Sequence, residues 1–208
     1  MKYIVMFVLG LLLCTGLAAQ SMPQPPPAKE NAPFIVYLGN LPDGNTPKLM
    51  YRQCPTADIN TGSDTAKQIA HAVRNGLLDD FAPKIIVLLL GAEDAGPTQS
   101  TPWSCARNIG DLLHALRTKQ PKATIVLLPI LPVHSQPMRA TIRKTNRLLQ
   151  TLADGHSVIF ADVSQALMPP NSDTPDPTLL SPKQKHPTAE GCQRIADALQ
   201  STLERLLK

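Results

Sequence analysis

From Pro33 to the C-terminus, short unbroken apolar runs alternate with longer segments of helical period. Phe34-Ile35-Val36-Tyr37-Leu38 is one run and stops at Gly39. Ile85 to Leu90 stops at Gly91, Thr124 to Leu128 at Pro129, and Ser157 to Ala161 at Asp162. Continuous runs of this length suit strands covered on both faces, as in parallel sheets. A fifth strand is expected near Ala57-Asp58-Ile59. Between the runs, Ile69, Val73 and Leu77 recur at i, i+4, i+8, with Ser63 or Asp64 expected as the N-cap. Ile109, Leu112, Leu113 and Leu116 form a second stripe, closed by Pro121. Met138, Ile142, Leu149 and Leu152 form a third, and Ile195, Ala196, Leu199, Leu203 and Leu206 the last. Strands alternating with amphipathic helices predict an α/β fold: a three-layer α/β/α sandwich on a mainly parallel, five-stranded sheet. In such sheets ligands sit beyond the carboxyl ends of the strands. The connection from Asp162 to Pro187 carries six prolines. It reads either as a functional or mobile loop or as a stiff surface connection.

The N-terminus follows a different pattern. Met1-Lys2 is a short positive start, Tyr3 to Leu13 is almost wholly apolar, and Thr15 to Ala19 is a run of mostly small residues. Residues 1–19 therefore read as a signal peptide cleaved near Ala18 or Ala19. The apolar run is short for a membrane span, which needs about 20 residues. Leu11-Leu12-Leu13 before Cys14 lacks the small residue of a lipoprotein signal. Residues 20–33, with five prolines, read as a spacer, and residues 34–208 as one domain. The expected location is secreted or periplasmic, with no membrane contact after cleavage.

Composition narrows the function classes. The chain is 43% hydrophobic but only 4% aromatic, so aliphatic residues must build the core. A net charge of +4, with no basic stripe interleaved with aromatics, argues against nucleic acid. An oxidising compartment permits one disulfide among Cys54, Cys105 and Cys192, with the pairing open. No cysteine sits in a motif that would activate it. His71, His114, His134 and His156 have no partners at motif spacing and read as helix-face or loop residues. No cofactor is implied, and the oligomeric state is not legible.

The candidate chemistry lies in three blocks. Leu180-Ser181-Pro182-Lys183-Gln184-Lys185-His186-Pro187-Thr188-Ala189-Glu190-Gly191 precedes the last helix. Asn60-Thr61-Gly62-Ser63-Asp64-Thr65 opens the first helix, and Gly91-Ala92-Glu93-Asp94 follows the Ile85 strand. In this order and context they resemble the conserved blocks of the SGNH (GDSL-type) hydrolases, whose sandwich is flavodoxin-like. Val73-Arg74-Asn75-Gly76-Leu77 leading into Pro83-Lys84-Ile85, with Lys119-Gln120-Pro121-Lys122-Ala123, is most similar to the catalytic subunits of platelet-activating factor acetylhydrolase. The resemblance covers roughly residues 34–207.

The resemblance implies ester hydrolysis. A Ser after Gly-Asp attacks the carbonyl, a His in an Asp-x-x-His pattern takes its proton, and the Asp orients the ring. Backbone N–H groups and the Asn of Gly-x-Asn-Asp hold the oxyanion. This chain departs from that pattern. Its first strand ends Gly39-Asn40-Leu41, so Asn40 stands for the Asp and Leu41 for the nucleophile. Glu93 replaces the oxyanion Asn, and Lys183 replaces the orienting Asp. His186 and the backbone N–H groups of Leu41 and Gly62 are what carries over. Loss of a serine nucleophile costs about 10⁶-fold in kcat, about 8 kcal/mol of barrier.

The first expectation is thus a catalytically degenerate protein of esterase ancestry that binds a small ester, acyl or glycan ligand. Glu93 is expected to pair with Lys183 or His186 in place of the lost site, or else simply to face solvent. The enzyme alternative is an esterase or acetylhydrolase using His186 with Ser63 as relocated nucleophile, against the commoner role of Ser63 as helix cap. Ser181 reads as a loop residue. A third reading is an interaction module, which an exposed Trp103 would favour, although Trp103 reads as a packing residue. Metal binding by His186, Glu93 and Asp94 lacks any recognised ligand spacing.

Overall fold

The computed structural model describes residues 34–40, 54–62, 64–90, 92–95, 101–180 and 187–208. Among the described residues five strands form one sheet: β1 (Ile35–Gly39), β2 (Thr56–Asn60), β3 (Ile85–Leu89), β4 (Thr124–Leu127) and β5 (Val158–Phe160). Four helices among the same residues connect or follow them: α1 (Ala66–Arg74), α2 (Pro102–Lys119), α3 (Gln136–Gln150) and α4 (Ala189–Leu207). The strand order is β2-β1-β3-β4-β5, and every pairing is parallel. The expected α/β/α sandwich is therefore the observed one.

The alternation of side chains along each strand builds the layers. Val36, Leu38, Ile86, Leu88, Ile125 and Leu127 point to the face covered by α1, α2 and α3, where Ile69, Val73, Ile109, Leu112, Leu116 and Ile142 meet them. Ile35, Tyr37, Ile85, Val87, Leu89 and Val126 point to the other face, where Ile195, Leu199 and Leu203 of α4 and Leu167 complete a second core. β1 and β3 are buried at every position, which is why they read as unbroken apolar runs. β2 is an edge strand, and only Ala57 and Ile59 are buried along it. That half-buried pattern explains why it was the faintest strand in the sequence.

Two helix boundaries differ from expectation. The N-cap of α1 is Thr65, not Ser63 or Asp64: its side chain accepts the Gln68 N–H while the Gln68 side chain accepts the Thr65 N–H, a reciprocal capping box. Leu77 and Leu152 belonged to the helical stripes but lie just past the ends of α1 and α3, where they still pack on the core. The chain from Asp162 to Leu180 is ordered by local bonds: a 3₁₀ turn at Ser164–Leu167, the Asp176 N–H on the Leu167 carbonyl at 2.9 Å and the Leu180 N–H on the Asp176 carbonyl at 2.8 Å.

Other expectations meet definite outcomes. No disulfide joins Cys54, Cys105 and Cys192, which are all buried thiols. Trp103, expected to pack inside, is 66% exposed at the start of α2, with the Arg107 guanidinium 6.0 Å from its ring centroid. His134, read as a helix-face or loop residue, lies in the loop before α3, its Nε2 2.6 Å from the Leu180 carbonyl oxygen. Among the described residues no helix is long and apolar enough to cross a membrane. Residues 1–33, read as signal peptide and spacer, lie outside the described residues.

Candidate functional site

The strand order reverses direction at β1: the chain passes to β2 on one side, then to β3 on the other. Such a switch point opens a crevice beyond the carboxyl ends of the two strands. Gly39, Asn40 and the segment after β3 sit there. Gly39 and Leu89 are register partners, and the backbones approach closely. A Cβ on Gly39 would stand 1.8 Å from the Leu89 carbonyl oxygen, and its φ is +131°. Only glycine fits this position. The Asn40 N–H then donates to the same Leu89 carbonyl at 3.0 Å, so the end of β1 is anchored to β3.

Asn40 is 3% exposed. Its Nδ2 donates to Oε2 of Glu93 at 2.8 Å. The family pattern implies a carboxylate at 40 and an amide at 93; here the amide is at 40 and the carboxylate at 93, and the two side chains meet. The bond is charge-assisted and fixes Glu93 in the crevice. Among the described residues, buried Asn40 Oδ1 has no hydrogen-bond partner. Lys183 and His186, the expected partners of Glu93, lie outside the described residues, as do Leu41, Ser63 and Ser181.

The next residue, Asp94, does different work. It is 4% exposed, and its two oxygens lie 2.9 and 3.1 Å from the Ala66 backbone N, whose N–H they accept. α1 has no acidic residue in its own first turn, so a carboxylate from the 3₁₀ turn Ala92–Ala95 supplies the negative charge its N-terminus favours. Burial pushes the Asp94 carboxyl up from 3.8 to about 6; the Ala66 N–H opposes this and the Glu93 charge adds to it. Cys105 packs nearby, its thiol pushed up to about 12 by burial and then by the Asp94 charge.

On the other flank, Thr61 N–H donates to the Gly39 carbonyl at 2.9 Å and holds the β2–α1 loop beside the crevice. Gly62, expected to offer an oxyanion donor, gives its N–H to Asn60 Oδ1 at 2.9 Å. A ligand oxygen would have to displace that side chain. Among the described residues no group of three His, Cys, Asp or Glu side chains gathers to hold a metal ion.

The switch-point crevice therefore presents a buried amide, a fixed carboxylate and an engaged loop N–H. Sequence reasoning found Asn40 and Glu93 but not their contact, which spans 53 positions. It passed over Asp94 as a capping group. The signal available was a helix start without an acidic residue, followed at a distance by an acidic pair after a strand.

Comparison with known proteins bears on the family and the fold. The model of the GDSL-like Lipase/Acylhydrolase family matches residues 38–194. Platelet-activating factor acetylhydrolase IB subunit alpha1 of Bos taurus is 27% identical over 141 residues, 62% of this chain and 57% of that protein. The chain thus spans somewhat over half the length of that curated relative. Among solved structures, a GDSL-like lipase from Bacteroides thetaiotaomicron superposes with a TM-score of 0.67 at 16% identity, covering 88% of this chain and 92% of that one. A carbohydrate esterase family 3 protein from Talaromyces cellulolyticus gives 0.58 at 22% identity, covering 74% and 72%. At these identities the structural likeness speaks for the fold.

Proposed function

We propose, from the premise that this chain belongs to the GDSL-like lipase/acylhydrolase family, that it is an exported member whose crevice binds a small ester, acyl or glycan ligand without hydrolysing it. One observation carries this reading: the Asn40–Glu93 hydrogen bond of 2.8 Å. It places a carboxylate where the family's oxyanion donor is implied and holds it there with the amide of the preceding block. A carboxylate so fixed repels the negative charge that develops on an attacked ester. Leu41, at the position implied for the nucleophile, has no atom that could attack. Export rests on the charged, apolar and small-residue pattern of residues 1–19.

One observation favours the alternative of an active esterase using Ser63 with His186. Thr65 caps α1, so the helix does not need Ser63 for that purpose.

The deciding experiment is hydrolysis of short-chain p-nitrophenyl esters by the wild-type protein beside His186→Ala. Equal, negligible rates are expected. Activity that disappears with His186 would overturn the binding reading and establish the esterase.

A further inference from the structure

Charge is divided unevenly between the two faces of the sandwich. α1, α2 and α3, which cover one face of the sheet, carry nine Lys or Arg and a single acidic residue, Asp111. α4, on the other face, carries two Arg and three acidic residues. α3 is the extreme case, with four cations and no acid. Arg139, Arg143 and Arg147 follow one another at i, i+4, i+8, with Lys144 beside them. Like charges at that spacing destabilise a helix. Arg139 is offset by its ion pair with Asp173. Arg143, Lys144 and Arg147 are exposed and have no hydrogen-bond or ion-pair partner among the described residues. The helix thus keeps a repulsion that an anionic partner would relieve.

Trp103, the one exposed large apolar side chain among the described residues, stands beside this cluster. α2 and α3 both return from the carboxyl edge of the sheet to its amino edge, so they run parallel, and they pack against each other. Trp103, Arg107 and Gly110 share one stripe of α2, at i, i+4 and i+7. That stripe faces α3, because a Cβ on Gly110 would lie 4.0 Å from Leu152 Cδ2. Two turns before Gly110, Trp103 is therefore at about the level of Lys144, two turns before Leu152. The Arg107 guanidinium lies over the Trp103 ring, 6.0 Å from its centroid. Arg107 is itself exposed and extends the cationic cluster onto α2.

We propose that the outer face of α2 and α3 docks on an anionic lipid bilayer. Arg107, Arg143, Lys144 and Arg147 meet the negative headgroups. Trp103 enters the interfacial layer, where an indole buries its apolar body and keeps its N–H hydrated. Headgroup anions relieve the repulsion along α3 without demanding one fixed geometry, which suits long exposed side chains. An acidic polysaccharide would meet the same cations, but a sugar ring would compete with Arg107 for the indole face. The docking is peripheral, since no described helix is long and apolar enough to cross a membrane. It replaces the expectation of no membrane contact after signal cleavage. In the sequence Trp103 and the α3 cations lie in separate helices, and only the packing of α2 on α3 sets them on one face. The inference does not depend on whether the Asn40–Glu93 crevice hydrolyses anything.

The test mixes the full chain with vesicles of equal parts phosphatidylglycerol and phosphatidylcholine. Pure phosphatidylcholine vesicles and soluble polygalacturonate are the comparators. Trp103 is the only Trp, so its emission reads this face alone. Preferential co-sedimentation with the anionic vesicles is expected, with a shift of Trp103 emission to shorter wavelength. Both the preference and the shift disappear at high salt. The apolar run Tyr3 to Leu13 would bind both kinds of vesicle alike and contains no Trp. Lys144→Gln combined with Arg147→Gln, both at exposed positions, lowers the preference roughly 25-fold, about fivefold for each cation. Arg194→Gln combined with Arg205→Gln on α4 removes the same charge from the opposite face and leaves the preference unchanged. The proposal is overturned if the two kinds of vesicle bind alike, or if Trp103 emission does not shift on binding. It is equally overturned if the α4 pair matters as much as the α3 pair, or if polygalacturonate binds as tightly as the anionic vesicles.

Discussion

Replacing Gly39 with alanine tests whether the switch point depends on close backbone contact. The new Cβ would lie 1.8 Å from the Leu89 carbonyl oxygen and 2.8 Å from its carbon, whereas Cβ contacts below 3.0 Å are essentially never observed. The ends of β1 and β3 must therefore part by about 1.2 Å, the difference between 3.0 and 1.8 Å. Three costs add. A left-handed φ costs a non-glycine residue about 1–2 kcal/mol. Parting the strands loses the Asn40 N–H bond to Leu89, worth about 1 kcal/mol net. Forcing a methyl group against the packed backbone of β3 at Leu89 costs about 1–3 kcal/mol. The sum, about 3–6 kcal/mol, is a large share of the roughly 5–15 kcal/mol that keeps a domain folded. The control is Gly62→Ala: its φ is +59°, but nothing lies within 4 Å of the added Cβ, so only the first cost of about 1–2 kcal/mol applies. Equilibrium urea unfolding followed by far-ultraviolet circular dichroism should place Gly39→Ala at least about 2 kcal/mol below Gly62→Ala. Equal midpoints and slopes for the two variants would refute the reasoning, because only the clash with Leu89 separates them.

Asp94 makes stability depend on pH. Its carboxyl is raised from 3.8 to about 6 in the fold, so between those values the folded chain holds a proton that the unfolded chain has released. Stability thus falls as pH rises through that window, by about 3 kcal/mol for this group. Asp94→Asn should flatten the slope in urea titrations from pH 4 to 6, and an unchanged slope would remove Asp94 as its source. Asn40→Asp sets a second carboxylate against Glu93, 2.8 Å from the present amide nitrogen. It should destabilise the fold by about 1–3 kcal/mol at pH 8 and less at pH 5, where the pair can share a proton; equal losses at both pH values would argue against contact. The thiols should be inert: burial pushes Cys192 up to about 11, and burial with the Asp94 charge pushes Cys105 up to about 12. A disulfide reagent at pH 8 should label them orders of magnitude more slowly in the native chain than in urea. Fast native labelling would show that these positions are open.

The layers of the fold were legible because local patterning is dictated by burial. β1 and β3 are covered on both faces, so they read as unbroken apolar runs. Edge strand β2 left a weaker trace because Thr56, Asp58 and Asn60 are not buried. The cap of α1 was misplaced by one or two residues: Ser63, Asp64 and Thr65 are all capping types, and only the reciprocal bond with Gln68 selects Thr65. Trp103 was expected to pack inside because aromatic side chains gain most from burial. The structure places it at the first turn of α2, where it is left outside the core and lies near Arg107. The blocks around Asn40, Gly62 and Glu93 were recognisable by their order and their strand–helix context, although Asn40 and Glu93 depart from the family's residue types.

By itself, then, the sequence determined the alternation of strands and helices and the parallel sheet. Those are consequences of burial periodicity and chain order. Tertiary structure alone decided which polar groups answer each other. Asn40 meets Glu93 across 53 positions, Asp94 caps a helix 28 positions earlier, and Arg139 pairs with Asp173 of the loop after β5. Hydrophobic burial is non-directional and therefore leaves a periodic signature. Hydrogen bonds and ion pairs are directional contacts between single atoms, and their partners exist only once the sheet has brought distant loops to the same edge.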